Sequence, residues 1–335
     1  MTPIRVGILG AAKIAPAAVI VPARDNPDFV VVAVAARDRA RAEAYAKEHG
    51  IAHVAADYEA LVTHPDVDLV YNPLPPAAHV RWTVAALEAG KPVLCEKPFA
   101  MNADEARTMV AAAERAKLPL IEAFHYRYHA VMRRAVEIAR SGELGKLTEA
   151  EAMFQFPMPF REDELRWIAP VGGGALMDMG CYPLHALRSV IGSEPEIVSG
   201  ECDIQHGVDA AAKAEMLFPG GVRAKMACSM IPESFGAFLR LTGENGALEI
   251  VNFLAPQYGF SFKVTVGGNT REEKPEGPST YAAQLIAVAD VLRNGTTPLT
   301  GGTDAIANMA AIDAIYAKAG YNRPVSANGN QPRYR

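Results

Sequence analysis

Ile4-Arg5-Val6-Gly7-Ile8-Leu9-Gly10-Ala11-Ala12-Lys13-Ile14-Ala15 decides the fold. The short apolar run up to Leu9 reads as a buried strand that stops at Gly10. Ala11 to Ala15 reads as the opening of a helix. The stretch therefore has the strand, glycine, helix order of a dinucleotide turn, in a G-x-A-x-x-A form. The first glycine permits the tight turn, the second position lets backbone approach a pyrophosphate, and the third allows close helix–strand packing. The helix N-terminus adds unpaired N–H groups and the positive end of a dipole. Gly10, Ala11, Ala12, Lys13 and Ile14 are the residues this reading sets against a cofactor. Alanine at the second position is a departure, and a simple glycine turn is the competing reading.

Downstream, strands alternate with helices. Val30–Ala36 is the next strand, and Ala36-Arg37 stands at its end, where an NAD-binding fold places an acid for the ribose. Alanine leaves room for a 2′-phosphate, and a guanidinium can pair with it, so NADP is preferred over NAD. Asp38 keeps the alternative open, as a ribose ligand or a partner of Arg37. Asp68–Asn72 is a strand that runs into Pro73-Leu74-Pro75-Pro76, too rich in proline for helix or sheet. His79 to Gly90 is a helix closed by its glycine. Val93-Leu94-Cys95 is an inner strand that ends in Glu96-Lys97-Pro98. Proline cannot extend the ladder, so the Lys97 ammonium is presented at a carboxyl edge, where open α/β sheets bind ligands. A surface Lys-Pro turn is the alternative. Asn72 and the proline loop share that edge. Asn102 can cap a helix over Ala103–Ala116, and Leu118–Ala123 is the domain's last strand.

The aromatic run Phe124–His129 reads as packing at a domain junction, and a helix follows to about Arg140. From Glu149 the rhythm changes. Glu149–Phe156, Ala211–Phe218, Val222–Met230, Gly236–Thr242, Ala247–Phe253 and Phe260–Val266 alternate or run apolar between breaks, and Gly243–Gly246 reads as a hairpin connection. Helices over Tyr281–Asn294 and Gly302–Ala319 close the chain, and the polar tail from Asn328 reads as loose. The expected class is α/β: an N-terminal Rossmann-type doubly wound parallel sheet over residues 1–123, and a C-terminal α+β domain with a large open, mostly antiparallel sheet over 124–335. The last helices are free to pack back towards the first domain.

Composition narrows the function classes. With 335 residues and half of them hydrophobic, two cores can form, and a net charge of -5 argues against a nucleic-acid surface. The start lacks the charge and apolar pattern of a secretion signal, and no apolar run reaches membrane-span length, so the expected setting is cytoplasmic. The four cysteines are scattered, as reduced thiols are.

A second constellation lies in Gly172-Gly173-Gly174-Ala175-Leu176-Met177-Asp178-Met179-Gly180-Cys181-Tyr182-Pro183-Leu184-His185. Three glycines allow a close backbone approach, and if a helix follows, Asp178 and Tyr182 leave the same face. Pro183 would remove the bond to Met179 and bend the helix. Asp178 needs a partner, for which Lys97 is a candidate; a helix cap or salt bridge is the alternative, and for Tyr182, core filling. Asp178, Cys181 and His185 match no standard zinc spacing, so no metal is expected.

Together the Gly10 turn, Glu96-Lys97-Pro98 and the GGGALMDMGCY segment resemble the glucose-fructose oxidoreductase, inositol dehydrogenase and rhizopine-catabolism family, Gfo/Idh/MocA, over nearly the whole chain. Tyrosine at 182, where most members have histidine, resembles the branch of dimeric dihydrodiol dehydrogenase and NADP-dependent xylose dehydrogenase. The resemblance implies Lys97 and Tyr182 as catalytic pair, Asp178 as substrate-positioning residue, His79 as a loop histidine near the cofactor, Arg37 as the NADP contact, and homodimers or homotetramers through the open sheet. Asn72, Pro73, Leu74, Glu96 and Lys97 complete the expected cofactor surroundings.

The expected reaction is hydride transfer between nicotinamide and a secondary alcohol or carbonyl of a sugar, polyol or dihydrodiol, with Tyr182 handling the proton. A free phenol has a pKa of about 10, too high for a good base, and an ammonium beside it favours the phenolate. Two other readings stand beside it: a glycoside-processing enzyme that recycles tightly bound NAD(P), and a non-catalytic nucleotide sensor or regulatory subunit. Specificity is expected from Phe154–Trp167 and the aromatic run after Glu122. Arg161, Arg166 and Trp167 are candidates to line the site, with loop packing or surface ion pairs the simpler reading of each.

Overall fold

The computed structural model describes residues 2–323; the tail from Asn328 lies outside the described residues. Contacts divide the chain into two compact units. One runs through His125 and takes in Tyr281–Ile306; the other comprises Tyr126–Thr280 and, among the described residues, 307–323.

The first unit is built on six parallel strands: β1 (Ile4–Leu9), β2 (Phe29–Ala35), β3 (His53–Val54), β4 (Leu69–Asn72), β5 (Val93–Cys95) and β6 (Leu120–Glu122). Their order is β3-β2-β1-β4-β5-β6, which is the doubly wound order of dinucleotide-binding sheets. The central strands are largely buried on both faces, which is why they read as mostly apolar runs, broken by Arg5 in β1 and by Asn72 at the end of β4. The helices between them are α1 (Val21–Arg24), α2 (Arg39–His49), α3 (Tyr58–Val62), α4 (His79–Glu88) and α5 (Ala103–Ala116). Asp38, Asp57 and Asn102 cap α2, α3 and α5, each accepting from the backbone N–H three residues on. Asp38 thus caps α2 through Oδ1.

Two local expectations are corrected here. The first helix does not open at Ala11: a turn at Lys13-Ile14 comes first, and a π-helical segment, Pro16–Ile20, then leads into α1. Proline is suited to a helix's first position, where its missing N–H costs nothing. The proline loop is also not wholly irregular, since Pro76–Ala78 makes one 3₁₀ turn. The segment Tyr281–Ile306 completes this unit: Leu285, Val288, Ala289 and Val291 join the core of Val6, Ile8, Val34, Tyr71, Leu94 and Ile121.

The second unit carries α6 (Ala130–Ser141), α7 (Cys181–Ile191) and eight strands: β7 (Leu147–Gln155), β8 (Glu196–Gln205), β9 (Val208–Phe218), β10 (Val222–Ser229), β11 (Gly236–Gly243), β12 (Gly246–Val251), β13 (Ser261–Val266) and β14 (Asn269–Glu272). They lie in the order β14-β13-β12-β11-β7-β10-β9-β8, antiparallel except where β10 runs beside β7. Alternation is clean in β9 and β10: Ala212, Ala214, Met216, Ala224 and Met226 are buried, while Lys213, Glu215, Arg223 and Lys225 are exposed. The Gly243–Gly246 hairpin pairs Thr242 with Ala247. The chain closes with α8 (Thr280–Asn294) and α9 (Gly302–Lys318).

Candidate active site

In the first unit, the carboxyl ends of the parallel strands gather most of the residues singled out in the sequence. Gly10 follows β1, Arg37 follows β2, Asn72 ends β4, and Glu96 and Lys97 follow β5, so four adjacent strands in the order β2-β1-β4-β5 present them along one edge. This edge includes the point between β1 and β4 where the winding reverses, the place where such sheets open a ligand crevice. Gly10 has φ +87, and a Cβ there would come within 3.0 Å of Leu74 Cδ2, so the turn and the proline loop need glycine at this point. Its N–H donates to the Ala35 carbonyl at 2.7 Å. Ala11 is buried, while Lys13, Ile14 and Arg37 are exposed.

Arg41 is a residue the sequence reading passed over. From the first turn of α2 its guanidinium donates to the Ala11 carbonyl at 2.8 Å, and the Tyr45 hydroxyl donates to the Ala12 carbonyl at 3.1 Å. Burial raises the Tyr58 phenol, while the charges of Arg37 and Arg41 and a backbone hydrogen bond from Arg37 oppose that rise. Two arginines therefore lie around one phenol beside the turn. The four-residue spacing of Arg37 and Arg41 was the available signal.

Asn72 and His79 organise the loop above this edge. Asn72 is fully buried; its amide donates to Thr83 Oγ1 at 3.1 Å and to the His79 carbonyl at 3.4 Å, and its Oδ1 accepts from Leu74 N–H. The His79 ring, also fully buried, sets Nε2 2.6 Å from the Leu74 carbonyl and Nδ1 3.1 Å from those of Pro98 and Phe99. It ties the proline loop to the segment after Lys97. Glu96 is 8% exposed and accepts from the Tyr71 hydroxyl at 2.7 Å and from the Lys97 N–H at 3.2 Å. Lys97 is half-buried, and the peptide after it is cis. Burial, then the Lys97 charge, pushes His125 down to about 3; His79 is lowered by burial, with the same charge as a minor contribution.

In the second unit, Asp178 and Tyr182 sit in one helical run, a π-type turn over Leu176–Gly180 continued by α7. A π turn leaves the carbonyl spacing wide, so the missing N–H of Pro183 falls where the α ladder is already interrupted. Tyr182 is 7% exposed, and its ring meets Tyr126 and Phe154 edge-on, both at 5.7 Å between centroids. The Tyr126 hydroxyl in turn lies 2.6 Å from His185 Nδ1. Asp178 does not serve as a cap. Its Oδ2 accepts from Arg166 Nε at 2.7 Å, and Arg166 Nη1 reaches Glu164 Oε1 at 2.9 Å. The two carboxylates raise the Arg166 pKa, Asp178 chiefly. Arg166, read from sequence as loop packing or a surface pair, is thus a partner of Asp178. Trp167 is buried, donates to the Met158 carbonyl, and packs edge-on against Phe160 and His206. Arg161 pairs with Asp163 at the surface.

Among the described residues, no three His, Cys, Asp or Glu side chains gather as metal ligands, and no helix is long and apolar enough to cross a membrane.

Against known families, residues 4–124 match the oxidoreductase family with the NAD-binding Rossmann fold, and residues 132–249 match the GFO/IDH/MocA C-terminal domain. The chain belongs to the Gfo/Idh/MocA family. Its members similar to this chain include D-xylose 1-dehydrogenase (NADP(+)) 2 of Haloferax volcanii, 33% identical across 93% of this chain and 96% of that one. Mouse trans-1,2-dihydrobenzene-1,2-diol dehydrogenase is 32% identical, over 81% of this chain and 80% of its own length. Among solved structures, a 3-ketoreductase from Actinomadura kijaniata in complex with NADP and TDP-benzene superposes with a TM-score of 0.87 at 27% identity, covering 94% of this chain and 98% of that one. Gfo/Idh/MocA membership makes the first unit a nicotinamide dinucleotide fold, and its glycine turn, strand order and exposed Arg37 fit that group.

Proposed function

We propose that the protein is an NADP-dependent oxidoreductase acting on a secondary alcohol or carbonyl of a sugar, polyol or dihydrodiol. The observation that carries this reading is the half-buried Lys97 ammonium at the carboxyl end of β5, one strand from the reversal point of a nicotinamide-type sheet. NADP over NAD is supported by the absence of an acid at Ala36, by Arg37 and Arg41 beside the turn, and by NADP in two of the relatives named above.

When bound, the nicotinamide supplies the hydride acceptor or donor. Tyr182 gives the proton to the substrate oxygen as the phenol or takes it as the phenolate, and Lys97 is its proposed catalytic partner, an ammonium suited to stabilising negative charge as it develops. Asp178, its carboxylate fixed by Arg166, orients a neighbouring substrate hydroxyl. Phe154 and Tyr126 shield the Tyr182 ring from water on two sides. Gly10 to Ile14 and Arg37 contact the cofactor, with Asn72, Pro73, Leu74, His79 and Glu96 shaping the edge around it.

A panel of aldoses, polyols and dihydrodiols assayed with NADP⁺ and NAD⁺, followed at the nicotinamide absorbance band, tests the reading. Turnover with at least one class and a lower KM for NADP⁺ is expected. No reduction with any substrate, while NADPH still binds, would reject it in favour of a sensor.

A further inference from the structure

We propose that Asp209 and Tyr316 form the clamp that positions the helix carrying Asp178 and Tyr182. What that helix does rests on the oxidoreductase reading; what holds it rests on geometry alone. Asp209, in β9, is 1% exposed. Its Oδ2 accepts the Leu176 N–H at 2.6 Å, and its Oδ1 accepts the Tyr316 hydroxyl, from α9, at 2.8 Å. Leu176 opens the helical run, and no side chain of its own cap position reaches the first turn. The leading N–H groups of a helix lack internal acceptors and carry the positive end of its dipole, so a buried carboxylate there meets both needs. A neighbour in sequence usually supplies such a group. Here a strand more than thirty residues further along the chain supplies it.

The glycine triplet makes that approach fit. Gly174 has φ +123, and a Cβ on it would collide with Asp209 Oδ1; one on Gly173 would meet the backbone of Arg166 and Ile168. The Gly174 N–H donates to the Arg166 carbonyl at 2.9 Å, so the turn is closed from both sides. With one oxygen on the helix and the other on Tyr316, the carboxylate fixes where the helix starts. It therefore fixes the rotational phase of Asp178 and Tyr182, two and six residues beyond Leu176. Asp209 acts through the helix and is a positioning residue.

Asp209→Asn keeps the shape but loses one of two strong acceptors, and Tyr316→Phe removes a single hydroxyl. The expected result for Asp209→Asn is a fall in kcat of about a hundredfold, with the NADP⁺ Kd unchanged. The primary isotope effect with deuterated NADPH should rise, and amide exchange should quicken in 174–184 and not in the sheet. Tyr316→Phe shifts each readout the same way by less, and it decides the matter if Asp209→Asn does not fold. Variants that melt earlier yet keep wild-type kcat and isotope effect well below their Tm would overturn the proposal. If the wild type turns over no substrate, the oxidoreductase reading has failed, and exchange alone decides: unchanged protection of 174–184 overturns the clamp, and its selective loss supports it.

Discussion

Two side chains carry most of the proposed chemistry, and their surroundings set what their loss should do. Lys97 lies within reach of two buried imidazoles whose neutral forms its charge favours, and its backbone N–H is held by Glu96. Lys97→Ala is expected to lower kcat by at least about a hundredfold, the scale of one electrostatic stabiliser, while the NADPH Kd from fluorescence titration stays near wild type. Tyr182→Phe should match it in kcat and lose the limb of the pH–rate profile that reports the proton donor. Arg166 makes a finer prediction. Its guanidinium spans Asp178 and Glu164, and an ammonium cannot reproduce that fork. Arg166→Lys should raise the KM for the alcohol substrate about tenfold, a value in keeping with one partly exposed charged pair, and leave the KM for NADP⁺ unchanged. The sequence displayed Lys97, Asp178 and Tyr182 because each stands in a compact local pattern. It offered Arg166 only as one lining candidate, without its tie to Asp178, and did not display Asp209 at all, because each of those links is to a partner twelve or more residues away.

At the scale of elements, the strands that were legible were those with a buried face. β9 and β10 alternate cleanly, and β1, β4 and β5 are mostly apolar on both sides, with Arg5 and Asn72 as the exceptions. β8 and β14, the two edges of the larger sheet, and β3, an edge of the smaller, escaped the reading. β14 buries no residue at all and β8 few, so burial wrote no period into their sequences. The sequence left open where α8 packs, and the first unit takes it. The helix's Tyr281 ring packs at a tilt against the buried His125 ring, 4.0 Å between centroids, and its Leu285, Val288 and Val291 enter the first unit's core. That contact predicts a pH dependence. Burial, aided by the Lys97 charge, lowers His125 from 6.5 to about 3, so between those values the unfolded chain binds a proton that the native protein does not. Stability therefore rises with pH across this window and is lost as pH falls below about 6.5, with a slope of up to about 1.4 kcal/mol per pH unit. Asp209, raised by burial from 3.8 to about 6, works in the opposite direction between those two values. The His125 contribution is thus best read as a difference: urea melts at pH 7 and pH 5 should show wild type losing more stability than His125→Asn. Parallel losses in the two proteins would mean the imidazole is not held neutral.

For the whole molecule, the decisive fact is that the polypeptide leaves the first unit after His125 and returns to it at Tyr281. A linear reading leaves open which unit the last helices join, because periodicity reports which face of a segment is buried and not which core buries it. One consequence is that a chain ending at Thr280 would lack Leu285, Val288, Ala289 and Val291 from the cluster around β1 and β4. The other concerns cofactor choice, which binding linkage can measure without any substrate. A ligand that binds only the native state stabilises it by RT ln(1 + [L]/Kd), about 2.7 kcal/mol at a hundredfold excess over Kd. NADP⁺ and NAD⁺ differ by one phosphate, so any difference in thermal shift at equal concentration isolates what recognises it. Arg37 is exposed at the end of β2, while Arg41 also bonds the Ala11 carbonyl of the turn. Arg37→Ala should therefore leave the melting temperature without ligand unchanged, reduce the NADP⁺ shift towards the NAD⁺ value, and leave the NAD⁺ shift as it was. Arg41→Ala should weaken both cofactors, since it loosens the turn that each would share. Equal NADP⁺ and NAD⁺ shifts in the wild type would remove the 2′-phosphate from the argument, and an Arg37→Ala protein with a full NADP⁺ shift would move its recognition to Arg41.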